Sequence, residues 1–117
     1  MKLVGGRTEQ EYREGLVRSN LSLRNSSSRL GAALEAAGVD VANAYVVFWI
    51  PEQAEDIYQV LTPAREIVTV ELSRYSDDVL LLERQSLKDY ERGRSQQDRI
   101  KLAVALDLIV SKRRGVR

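Results

Sequence analysis

Asp56 and Glu71 are the side chains whose type and spacing could do chemistry. They fall fifteen residues apart on what read as adjacent strands, with Glu14 on a helix before them. Two carboxylates held together can bind Mg²⁺ or share acid–base work. They carry this possibility alone, because the chain has no histidine and no cysteine. That excludes Ser-His and Cys-His nucleophile pairs, thiol chemistry, disulfides and cysteine-based zinc sites.

Helix, strands and an acidic pair resemble the restriction-endonuclease-like nucleases, whose motif runs Asp…Glu-x-Lys. After Glu71 this chain reads Leu72-Ser73-Arg74. Ser73 stands at the lysine position, and Arg74 falls one residue later on the opposite strand face. The departure removes the cation that activates water, so no family is assigned from it. A metal-dependent, nuclease-like hydrolase stays as a second alternative. Glu52, Glu55 and Asp56 cluster around a turn but lack the glycine and alternating oxygens of a calcium loop. They suit a basic partner better than a metal, and neither metal nor cofactor is expected. Gly5-Gly6 lacks the spacing of a phosphate loop.

Arginine supplies the other chemistry. Arg13, Arg18, Arg24 and Arg29 stand among serines and asparagines. On one continuous helix, 18 and 29 share a face, as do 13 and 24, because eleven residues make about three turns. Such rows could contact phosphates, which makes a nucleic-acid-associated protein the first alternative. The net charge of +1 divides into +3 over residues 1–31, −5 over 32–60, −2 over 61–90 and +5 over 91–117. Basic ends flank an acidic middle, so the simplest expectation is that the chain complements itself.

The elements that position these groups follow from periodicity. Thr8-Glu9-Gln10-Glu11 has capping-box spacing. Tyr12, Leu16, Leu23, Leu30, Leu34 and Ala37 continue at helical spacing, so a helix is expected over 8–37, long or kinked, with a possible break near 26–28 where asparagine and serines weaken it. β-Branched and aromatic runs predict strands at about 43–50, 56–61, 66–73 and 78–83. Thr62-Pro63-Ala64-Arg65 is a turn with proline well placed. Ser86-x-x-Asp89 and Ser95-x-x-Asp98 cap helices at about 86–92 and 95–113. The expected fold is a single α+β domain: an antiparallel four-strand meander flanked by a long N-terminal helix and C-terminal helices.

Strict alternation places Val46, Phe48, Ile50, Tyr58, Val60, Val68, Val70 and Leu72 on one apolar face. It places Tyr45, Trp49, Ile57, Leu61 and Ile67 on the other, with Gln59, Thr69 and Glu71. Wetting Trp49, Tyr45 and Ile57 would forfeit several kcal/mol at about 25 cal/mol per Å². Either the first helix or a partner must cover them. The last helix repeats the puzzle: Leu102, Leu106, Ile109 and Val110 form one stripe, and Ile100, Val104 and Leu108 form another. Asp107 has no cation at helical spacing, so if buried it needs a partner from elsewhere, such as an arginine of the first helix. The partner-binding set is therefore Tyr45, Trp49, Ile57, Ile100, Val104 and Leu108. The expected function is a small non-enzymatic interaction module, of the immunity, inhibitor, chaperone or regulatory-subunit kind, binding a protein partner or itself as a homodimer. No apolar run long enough to span a bilayer and no secretory leader are seen, so a cytoplasmic location is expected.

Overall fold

The computed structural model describes the backbone of residues 2–25 and 27–115, and the side chains of 9–25 and 27–111. The order is α1 (Lys2–Arg24), α2 (Arg29–Ala36), a short 3-10 turn (Val41–Asn43), β1 (Tyr45–Pro51), β2 (Glu55–Leu61), β3 (Glu66–Ser73), β4 (Val79–Ser86), α3 (Leu87–Glu91) and α4 (Gln96–Gly115). The strands form one antiparallel meander in the order β1-β2-β3-β4. This is the α+β fold that the hydrophobic periods require. Among the described residues, no helix is long and apolar enough to cross a membrane.

The N-terminal helical region is two helices, and it begins at Lys2 rather than Thr8. The side chain of Thr8 lies outside the described residues. The break falls where polar side chains capture the backbone. Asn25 Oδ1 accepts from the Ser27 amide and hydroxyl, and Ser28 Oγ accepts from the Gly31 amide as the N-cap of α2. Gly31 allows α2 to turn back tightly, since a Cβ there would sit 2.3 Å from the Leu23 carbonyl oxygen. The remaining caps fall where the serines predict: Ser86 Oγ accepts from Asp89 N, and Ser95 Oγ from Asp98 N.

The sheet is covered on both sides by its own chain. Leu61, Ile67, Tyr45 and Val47 pack with Leu87, Tyr90, Leu102, Ala105 and Ile109 of the C-terminal helices. Val60, Val68, Val70 and Leu72 pack with Leu30 and Leu34 of α2 and with Val39 and Val41. Helix α1 does not lie across one face, as the sequence suggests. It runs along the edge of β1 and serves both layers, with Leu16 in the first and Leu23 in the second. Two polar residues fasten it there. Ser19 Oγ accepts from the edge amide of Val46, and buried Asn20 donates through Nδ2 to the carbonyls of Val41, Ala42 and Ala44. An edge strand otherwise offers those groups to any passing strand.

One residue overturns the expected face assignment. Val46 pairs with Val60 but Phe48 with Gln59, so Val47 is an extra residue in β1. Beyond it the parity inverts. Trp49 pairs with Tyr58 and joins the α2 side, while Phe48 and Ile50 turn to the α4 side. A second irregularity at Leu80 brings Val79 opposite Leu72.

Candidate functional site

Register separates the acidic pair. Asp56 stands opposite Leu72 and Glu71 opposite Ile57, so the two carboxylates project from opposite faces and share no coordination sphere. Asp56 is engaged elsewhere. Its Oδ1 accepts from Arg74 Nη2 at 2.9 Å and Trp49 Nε1 at 3.1 Å, and its Oδ2 from Arg74 Nε at 3.3 Å. The forked guanidinium, with the indole N–H adding to it, holds the Asp56 carboxyl below the usual aspartate range. Asp56 in turn raises Arg74. A carboxylate so held is a weak base near neutrality. Among the described residues, no three acidic side chains gather as a metal site, so Glu52, Glu55 and Asp56 form none. Glu14 accepts from Gln10 on its own helix.

The helix break takes Arg29 off the helix that carries Arg18 and ends that row, while Arg13 and Arg24 stay eleven residues apart on α1. Arg29 donates to the carbonyls of Ser73 and Ser76 and faces Asp77 at 3.7 Å. Arg13 meets Asp107 at 3.2 Å across α1 and α4, which is the partner the sequence asks for, although both groups are partly exposed. Arg18 and Arg24 remain exposed on α1.

The six partner-binding candidates scatter. Tyr45 (4% exposed) and Val104 (5%) lie inside the α4-side core and are lost as surface, because α1 and α4 close over them. Leu108 packs against that core, and Ile57 and Ile100 are half-buried. Trp49 alone among them stands out, at 58% exposed.

Around Trp49 the chain forms a cleft of about 470 Å³ between the α1–α2 junction and the sheet. The inverted parity of β1 puts Trp49 there, over Tyr58, with ring centroids 6.4 Å apart and planes 9° apart. Val46, Leu72 and Leu30 continue the apolar floor, and Ser22, Ser28 and Arg29 form the opposite wall. Burial, with the nearby charge of Asp56, pushes the Tyr58 phenol upward. A second hollow of about 450 Å³ runs on past Ala32 and Ala33 toward Asp77 and Val79. Of the seven exposed large apolar residues among those described, Trp49, Ile50, Tyr75, Val79 and Leu80 belong to this end of the sheet. Tyr58, Arg74 and Tyr75 carry no signal in the sequence that would assemble them here. Only the pairing register sets Tyr58 under Trp49 and Arg74 on the Asp56 that holds the indole N–H, with Tyr75 reaching Gln53 at the same end of the sheet.

Fold and site together define an α+β domain whose sheet is clothed on both faces and whose aromatic cleft opens at one end. No protein-family model matches the chain, and no curated protein or solved structure is significantly similar to it.

Proposed function

We propose that this protein is a non-enzymatic interaction module that engages a protein partner through the Trp49 end of its sheet. One observation carries the reading. Trp49 is more than half exposed, yet its ring is held against Tyr58 and its N–H is bonded to Asp56, which Arg74 holds in turn. A large aromatic fixed in its exposed position loses little entropy when a partner covers it. Tryptophan, tyrosine and arginine are also the residues that most often dominate interface energetics. The missing histidine and cysteine and the ion-paired, weakly basic Asp56 favour binding over turnover.

The test is affinity capture from the native host with wild-type protein, Trp49→Ala and Arg18→Ala. A partner held by the wild type and by Arg18→Ala, and lost by folded Trp49→Ala, supports the reading. A partner held equally by all three, or lost only with Arg18→Ala, overturns it.

A further inference from the structure

The cleft has a charged lip. The β1–β2 and β3–β4 turns meet at this end of the sheet: Arg74 N donates to the Ala54 carbonyl at 3.0 Å, and Tyr75 Oη to the Gln53 carbonyl at 3.4 Å. These turns and the strand ends beside them carry Glu52, Asp56, Asp77 and Asp78 with Arg74, and Arg29 reaches in from α2, while Glu55 projects from the other face of the sheet. Both guanidiniums are already engaged within the chain, Arg74 on Asp56 and Arg29 on Asp77 and two carbonyls. The surplus at this end of the sheet is negative, and the exposed Trp49 stands at the same end.

We infer that the occupant of this cleft is a cationic segment of a partner protein, with arginine or lysine side chains interleaved with apolar ones. The inference rests on the proposed function and names the chemistry of the partner. Two features select the same ligand independently. An exposed indole face is the strongest side-chain acceptor for a cation, and the carboxylate lip draws the same charge from a distance. The apolar floor of Val46, Leu72 and Leu30 takes the interleaved apolar residues. The molecule uses this chemistry internally: Arg94 lies 4.0 Å over the Tyr90 ring, and Lys101 lies 5.1 Å over Phe48. A polyphosphate strand would meet like charge at the lip.

The experiment titrates the full chain with three labelled probes: a peptide alternating arginine and leucine, its glutamate counterpart, and a single-stranded oligonucleotide. Trp49 is the only tryptophan, so its emission reports the cleft. The arginine peptide binds and shifts that emission, and the other two do not. Affinity falls by about tenfold in the combined variant Glu52→Gln, Asp78→Asn, and falls again as salt shortens the Debye length from about 30 to about 8 Å. It is unchanged in Glu83→Gln/Glu91→Gln, which carries equal chemistry elsewhere. Four results would overturn the inference: peptide binding without a change at Trp49, equal binding by the neutralised variant, binding of the glutamate peptide or oligonucleotide at the cleft, or self-association through it by a second copy. A host partner lost with Trp49→Ala but held fully by the neutralised variant would overturn the cationic chemistry alone and leave the proposed function standing.

Discussion

Protonating Asp56 releases Arg74 and weakens the hold on the Trp49 indole, so this site is sensitive to acid. The folded carboxyl titrates below its unfolded value of about 3.9. Its interactions therefore stabilise the fold above that value and are lost as pH falls through the lowered one. Trp49 emission should show a step below about pH 3.9 that Asp56→Asn lacks. A step at or above that value in the wild type would refute the pairing. Asn20 makes a second residue-scale case. Its amide satisfies three carbonyls in a buried place, so Asn20→Ala should cost about 2–3 kcal/mol in urea unfolding. Nothing in the sequence marks Asn20, which reads as one polar helix residue among many. Asp107 could be read in part: with no cation three or four residues away on its own helix, it pairs instead with Arg13 of α1.

Elements were legible where local chemistry decides them. The serine caps of α3 and α4, the turn at Thr62–Arg65 and the four strands all answer to residues within a few positions of themselves. The bulge at Val47 was not legible. Val46-Val47-Phe48 is an unbroken apolar run, and Val47 packs in one layer while half-buried Val46 packs against the other, so composition cannot say which residue is the extra one. That single residue moves Trp49 from the α4 side to the α2 side and thereby creates the cleft. The break between α1 and α2 is a closer balance between helix propensity and side-chain capture of the backbone. Gly31→Ala tests the junction. Its new methyl group must displace the Leu23 carbonyl, so destabilisation of about 1–3 kcal/mol is expected on denaturant titration. An unchanged midpoint would mean that the two helices do not approach so closely. The cleft wall formed by Ser28 and Arg29 should loosen in the same variant.

At the scale of the molecule, two apolar layers share one sheet. The basic N-terminal end and acidic middle of the sequence meet at Arg29 with Asp77, while Arg13 with Asp107 joins the two ends and Arg84 with Glu66 pairs within the middle. On the α4 side the layer is sealed over Gln59 by Tyr90, whose phenol donates to the Gln59 carbonyl oxygen. Burial pushes that phenol up to about 12. The stabilisation is full below the ordinary tyrosine value of about 10 and is lost as pH rises through the raised one. Tyrosinate absorbance should show a late step that disappears in Tyr90→Phe. The sequence correctly asks what covers the greasy side of the sheet, and the answer is the chain itself, except at the end where Trp49, Ile50, Val79 and Leu80 stay exposed. Trp49→Ala should therefore cost only about 1 kcal/mol of stability, the scale of one aromatic pair, while abolishing partner binding. Hydrogen exchange on the partner complex tests that division of roles most directly. The account predicts new protection concentrated in the β1–β2 and β3–β4 turns and the α1–α2 junction, with the outer face of α4 unchanged. Protection confined to α4 or to the first half of α1 would contradict it.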